Sequence, residues 1–534
     1  MTCFGWNLPV IVLALAGTAM ADPIYTADNA PAAPQVGELE QSASITQYGI
    51  TWTFDREMPV GQFVNGDYYV VGEVTITDIA PRPLLGEAVP EEELDARERD
   101  SDARQRDKRY VRNGSTLNPP AAKQVGYDSG NRNWYRPGLA NELPIAMQPG
   151  DSLVSTISLK QGETIEFPYH GASRGRGHRD NSPLRTAAVL TCVAEPLPPD
   201  AFRPSWADHR ASEAERVIYL ARNLRRDLLP NLPRPTGDNI RVSSGDTDID
   251  LWVRVFERPW INAGFFGFDQ PMENMPQYGQ WVGQAQSVAG LVLMLDFPAE
   301  QRERLLINVV QVGIDYWGAV RGGHPGWEGW GGHGSGRKFP IVFAGLMLGD
   351  DAMASPTVSY PNVNFGEDNQ TMYGKTWTGA HVQFAGHSGV HSDGTIPRPH
   401  WGPYEHLHPS EWDGEGQRNS QSEAYRRANS STSWIGQALV VRLLGAEAQW
   451  NHDAFFDYVD RWMMEDDTEH RRVIHEHLDW PTLVDDDRRY QIQGNTWEPF
   501  VKTMWEAHRH TLDAPTDGWK RPRDEHARPP SESR

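Results

Sequence analysis

The stretch His324–Lys338, "HPGWEGWGGHGSGRK", follows neither the helix period nor the strand period. It sets six glycines beside two histidines, two tryptophans, a glutamate, an arginine and a lysine. Glycines allow positive φ and close backbone approach, so a loop of this composition can aim its other side chains into a cleft. No strand precedes it and the Gly-Lys-Ser/Thr spacing is absent, which excludes a phosphate-cradling P-loop. The next residues, "GRKFPIVFAGLMLGD", start a helix with Arg337 and Lys338 at its positive end, an arrangement suited to a carboxylate or sulfate.

A second irregular stretch runs from Ser355 to Gln421 and holds "WTGAHVQFAGHSGVHSDG" and "RPHWGPYEHLHPSEWDGEG". Eight of the 18 histidines (324, 333, 381, 387, 391, 400, 406 and 408) fall within these two stretches, so the chemistry is expected here. Long irregular segments inside a helical region are uncommon unless they line a site. The residue types suit proton abstraction beside a carboxylate, which needs a group to neutralise that carboxylate, a base for the proton and an acid for the leaving oxygen. Arg337 and Asn274 ("ENMPQYGQW") are the expected neutralisers, His333 or His406 the base, and Tyr278 or Tyr404 ("YEHLHPSEW") the acid. Trp327, Trp330 and Trp401 would be sugar platforms. Glu328, Lys338, Glu405, Tyr425 and Arg426 ("SEAYRR") would complete the substrate-binding surface. "HSGVHSD" also places His387, His391 and Asp393 close in sequence, a set that suits zinc or manganese. Gly389 and Gly394 argue for a loop there, so a divalent metal stays an open alternative and no ligands are assigned.

The elements that must position these residues divide the chain in two. From Ile50 to Glu195 the apolar period is that of strands: "ITWTFD", "QFVNGDYYVVGEVTITDI", "SLVSTISL", "ETIEFPY" and "RTAAVLTCVAE". This predicts an antiparallel β-sandwich over 22–195, with a charged insertion near 82–125 whose run Pro90–Arg109 reads as a solvated loop or short surface helix. "EPLPPDAFRP", Glu195–Pro204, is a joint. Beyond it, Ser212 and Glu215 form a capping box ahead of a predicted helix in "RVIYLARNLRRDLL". Amphipathic helices are predicted near 247–259, 279–297, 301–320, 339–349, 421–444, 452–466 and 497–512. Consecutive helical hairpins over 205–515 predict an (α/α) toroid, and fewer helices are legible than a closed ring takes, so the ring is expected to be incomplete. The chain thus reads as an α+β multidomain protein ending in a disordered tail, 516–534.

Composition narrows the function. Val10–Gly17 is a short apolar core followed by "AMA" at Ala19–Ala21, which predicts a signal peptide over 1–21 and a secreted or periplasmic protein beginning at Asp22. That run is too short to span a bilayer, and no later stretch is long enough, so no membrane partner is expected. Only Cys192 follows the signal, in a run that reads as a buried strand. A net charge of -22 argues against nucleic acid, though not against an anionic substrate met by a local basic cleft. Twenty tryptophans suit packing against sugar rings.

"GRKFPIVFAGLMLGD", "STSWIGQALVVRLLGA" and "WNHDAFFDYVDRWM", with the general layout, resemble secreted bacterial polysaccharide lyases that join a helical toroid to an antiparallel β domain. The resemblance covers Tyr278 to Met464, with the β domain first where many such lyases carry it last. It implies cleavage of an acidic, uronic-acid-containing polysaccharide by β-elimination. Two alternatives remain. One is a glycoside hydrolase using paired carboxylates among Glu328, Glu405, Asp413, Glu415 and Glu423. The other is a non-catalytic glycan-binding protein with tryptophan platforms.

Overall fold

The computed structural model describes residues 23–86, 111–121, 124–159, 163, 184–208, 216–235, 249–261, 272–276, 278–412, 418–477 and 498–523. The expected signal peptide, the charged run Pro90–Arg109, nearly all of "ETIEFPY", the capping box, Asp413, Glu415 and the end of the tail lie outside them. An N-terminal β-sheet region precedes a helical region, as the change of period predicts.

β1 (Glu40–Gln47) and β2 (Ile50–Gln62) form a hairpin whose two turn residues, Tyr48 and Gly49, both have positive φ, matching the right-handed twist of the strands. β2 buries Ile50, Trp52 and Phe54 at one end and Met58 and Val60 at the other, with Asp55–Glu57 exposed between them. Its first half pairs with β4 (Val74–Ala80) and its last residues with β3 (Tyr68–Val71). β5 (Leu84–Leu85) and β6 (Val111–Arg112) form a separate antiparallel pair, and β8 (Ile145–Met147) extends one arm of the main sheet from β4. The other arm runs from β3 through β10 (Leu184–Val193) and β9 (Ser152–Ser158) to β7 (Ser115–Leu117). In place of the two antiparallel sheets of the expected sandwich, the eight strands are one continuous sheet that curls, its arms joined by the parallel pairing of β3 with β10. Trp52 on β2 donates from Nε1 to Ser155 Oγ on β9 at 2.9 Å. The β7 part of the expected charged insertion is therefore sheet, and Val111, Ser115, Thr116 and Val125 are buried.

Within "RTAAVLTCVAE" the run Ala187–Leu190 is apolar without alternation, and Thr186 and Thr191 are buried too, because β10 is covered on both faces. Ala188, Leu190 and Cys192 face the core inside the curl. Ala187 and Val189 face the core shared with the helices.

The helix predicted in "RVIYLARNLRRDLL" does not form. Its described residues carry only single 3-10 turns at Ala221–Asn223 and Arg226–Leu228, with extended backbone at Leu220, Leu224 and Leu229. Ion pairs override helix propensity here: Arg222 is drawn to Asp200 and Arg226 to Glu303. The segment is a strap along the helical region.

The remaining predicted helices are present: α1 (Ile249–Phe256), α2 (Gly279–Leu293), α3 (Ala299–Arg321), α4 (Lys338–Leu348), α5 (Arg418–Tyr425), α6 (Ser431–Leu443), α7 (Asp453–Met464) and α9 (Glu498–His508), with α8 (Thr468–His477) in addition. α2 packs on α6 and α3 on α4. Gly313 makes the second contact tight, since a Cβ there would lie 2.2 Å from Pro340 O. No described helix is long and apolar enough to cross a membrane. The first residues of the expected disordered tail are folded: Trp519 is buried and its carbonyl accepts from His381 N at 2.7 Å.

Candidate functional site

The two irregular stretches are joined by backbone. Gly326–Trp327 pairs in parallel with Asn364–Phe365, and Gly331 N donates to His387 O at 2.8 Å. Trp327 anchors the first loop, stacked between His324 at 4.4 Å and Phe365 at 5.9 Å. It is buried, so its expected role as a sugar platform is replaced by packing.

Beyond Trp327 the chain reverses through Trp330 and Gly331, both at positive φ. Two elements, the start of α2 and the turn before α6, then hold the loop. Gly332 N donates to Tyr278 Oη at 3.0 Å, Asn429 Nδ2 donates to the same oxygen at 3.2 Å, and Ser430 Oγ donates to Gly331 O at 3.1 Å. Asn429 and Ser430 lie in a π-helical turn, Arg426–Ser430, between α5 and α6. Such turns recur at functional sites because the extra residue re-aims side chains. Here Tyr425, just before the turn, faces the glycine loop, while Arg426 and Arg427 are committed to Glu423.

Two histidine–tyrosine pairs result. His333 stands nearly perpendicular to Tyr278 at 4.6 Å, and His387 to Tyr425 at 4.5 Å. Trp401 lies 4.8 Å from His387 and Trp330 6.2 Å from it. Glu328 accepts from Trp330 Nε1 at 2.6 Å and lies 3.7 Å from His391 Nε2. Burial, with His387 and Arg337 adding to it, pushes the His333 pKa down to about 3. Burial, with Arg398 adding to it, pushes His387 down to about 4. Both imidazoles are neutral at neutral pH, able to accept a proton and to exchange hydrogen bonds.

The cluster therefore brings together Tyr278, Glu328, Trp330, His333, Trp401 and Tyr425 from the sequence expectations. The others sit elsewhere. Arg337 and Lys338 do not form an open anion site, because the start of α4 is buried. Arg337 donates to His333 O and Ser335 O, and burial pulls its pKa down to about 10. Lys338 pairs with Asp368 and lies 4.7 Å over the Trp450 ring. Asn274 donates to Val255 O at 3.1 Å and Arg258 O at 3.2 Å, closing the end of α1 rather than facing the loops. Tyr404 is fully buried and donates to Glu423 at 2.5 Å. Glu405 accepts two bonds from Arg461, at 2.9 and 3.0 Å, and Arg426 lies 3.3 Å from it. Tyr404, Glu405 and Arg426 thus belong to a self-neutralised ion network on the other side of the π turn. His406 is exposed, and no ring or hydrogen-bond contact joins it to the cluster.

The expectations passed over His387, Arg398 and Asn429 as reaction residues. His387 was visible only as a metal candidate, Arg398 opens "RPHWGPYEHLHPSEWDGEG" beside residues of more reactive type, and Asn429 falls between "SEAYRR" and "STSWIGQALVVRLLGA". His387, His391 and Asp393 do not converge: Asp393 bonds Thr395, and among the described residues no group of three or more His, Cys, Asp or Glu side chains is placed to hold a metal. The chain matches no protein-family model, no curated protein and no solved structure.

Proposed function

We propose that the chain is an enzyme that depolymerises an acidic, uronic-acid-containing polysaccharide by β-elimination, acting outside the cytoplasm. The observation that carries this reading is the meeting of two perpendicular His–Tyr pairs with tryptophans where the glycine loop, the second irregular stretch and the π turn join. The inner pair is braced, since Tyr278 Oη already receives Gly332 N and Asn429 Nδ2. The outer pair does the chemistry. Neutral His387 takes the proton from C5 beside the carboxylate, the C–H electron pair becomes the C4=C5 double bond, and the C4–O bond breaks. Tyr425 gives its phenolic proton to the departing oxygen. His333 and Tyr278 position the loop that holds them.

We read the helical region as an incomplete (α/α) toroid, with α2/α6 and α3/α4 as packed pairs, and the curled sheet as a sandwich-like module beside it. The hydrolase alternative is weakened because Glu405 and Glu423 are committed to arginines, which leaves Glu328 as the carboxylate of the expected set that lies in the His–Tyr cluster.

The test follows unsaturated-uronate absorbance and reducing ends together on polyuronate and neutral glycans. Both signals rise together for a lyase. Reducing ends alone would mean a hydrolase, and binding with neither signal a lectin-like protein. His387→Ala and Tyr425→Phe should each lower turnover by about 10²-fold or more. Near-wild-type rates in both would remove the assignment.

A further inference from the structure

Elimination beside a carboxylate needs a cation for that carboxylate, and the two groups expected from sequence to supply it, Arg337 and Asn274, are used inside the protein. Most buried arginines here are also committed. Arg203, Arg442, Arg461 and Arg509 each fork onto an aspartate or glutamate.

Arg398 is different. Its guanidinium lies 5.1 Å from the Trp330 ring centre and 4.8 Å from that of Trp401. The two indoles stand at 82° to each other, 6.4 Å apart, so the cation sits in the angle between them. Its backbone is fixed, its carbonyl accepting from Trp401 N at 2.8 Å and Ser388 Oγ at 3.2 Å. The residue is exposed, and among the described residues no carboxylate pairs with it. In a chain of net charge -22, a solvent-facing arginine without a carboxylate, held by two rings, has its N–H fork free for an incoming acid. The cation–π contacts limit its rotamers, so less freedom is lost on binding. It also borders His387, the proposed base.

We infer that Arg398 recognises the acidic group of the substrate, and that Trp330 and Trp401 hold this arginine rather than stacking on sugar rings. The inference rests on the reading of the His–Tyr cluster as a glycan site and names the residue that makes it selective for acidic glycans. The shared chemistry is a planar or tetrahedral oxyanion on a sugar, from either a uronate carboxylate or a sulfate ester.

Calorimetry decides it, with three probes: a glucuronate oligosaccharide, the same oligosaccharide after carboxyl reduction, and a sulfated neutral galactan oligosaccharide. The wild type should prefer the carboxylated over the reduced form by about tenfold or more. Arg398→Gln should abolish that preference while leaving affinity for the reduced form within about twofold of wild type. Trp401→Phe should keep the preference and Trp401→Leu should erode it. Equal gain from the sulfated probe, lost in Arg398→Gln, would support the inference with sulfate as the anion. A preference undiminished in Arg398→Gln, or no preference in the wild type, would overturn it. So would a Trp401→Leu protein that loses the reduced sugar and keeps the preference. A wild type that shows Arg398-dependent preference without unsaturated product would sink the elimination and leave Arg398 standing. Unsaturated product with Arg398→Gln preference intact would do the reverse.

Discussion

His387 titrates in a region where an ordinary histidine has already taken its proton. Its pKa is held down to about 4 by burial first and Arg398 second. As a base it is ready wherever it is neutral, so kcat/KM should keep its acid limb near pH 4, well below the usual histidine value of roughly 6.5. NMR titration of the folded protein should give the same midpoint, and Arg398→Gln should move both upward, because it removes a cation from beside the ring. A limb that stays in place in that variant would separate Arg398 from the base. Stability has a fixed sign here. The unfolded chain protonates this imidazole below about pH 6.5 while the fold keeps it neutral, so stability is full above that pH and is lost as pH falls toward 4. The expected loss from this one group is on the order of 3 kcal/mol. Glu367, pushed up to about 7 by burial, works in the opposite sense over an overlapping window. The site-resolved titration is therefore the decisive measurement, ahead of a melting curve.

At the scale of elements, the glycine loop and the π turn define each other's shape. Gly331 has φ +68°, and a Cβ there would lie 2.3 Å from the Tyr425 ring and 3.2 Å from His387 Nε2. Gly331→Ala should therefore displace the outer pair, lowering turnover by about tenfold or more while destabilising the fold by only about 1–2 kcal/mol. Activity and a denaturation curve on the same sample check both halves, and an active Gly331→Ala enzyme would mean the outer pair is not the reacting one. The sequence made the loop legible because glycine, histidine and tryptophan in so short a span have no good use in a helix or strand. It did not reveal which histidines meet, because that is set by pairings such as Gly326 with Asn364 and Gly331 with His387, which leave no periodic trace. Arg337 and Lys338 misled for a related reason. A helix N-terminus with two cations resembles an anion site only while it is exposed, and the all-apolar "FPIVFAGLML" takes α4 from Lys338 to Gly345 into the core. The strap misled because its arginines find acids across the fold, a gain that local propensity does not register.

At the scale of the molecule, the change of apolar period near Glu195 marks a change of element type and not a break in the core. β9 and β10 contribute Val154, Ala187 and Val189 to the same apolar cluster as α2, α3, α4 and α6. Arg203 reinforces that junction from full burial: its Nε donates to Asp67, next to β3, at 2.5 Å and its fork to Asp315 on α3 at 2.9 and 2.7 Å. Truncating it leaves two buried carboxylates facing each other, so Arg203→Ala should cost about 3–5 kcal/mol. Pairing it with Asp67→Asn and Asp315→Asn should recover part of that loss, because the orphaned charges are then gone. The shared core also predicts how the protein unfolds. Far-UV circular dichroism, weighted toward the helices, and the fluorescence of Trp52, inside the curl of the sheet, should report one coincident transition in denaturant. To isolate the Trp52 signal in a chain of 20 tryptophans, the wild type is compared with Trp52→Phe. Should the sheet signal move at a different midpoint from the helical one, the two regions would be separable folding units, and Arg203→Ala would then shift only one of the two midpoints.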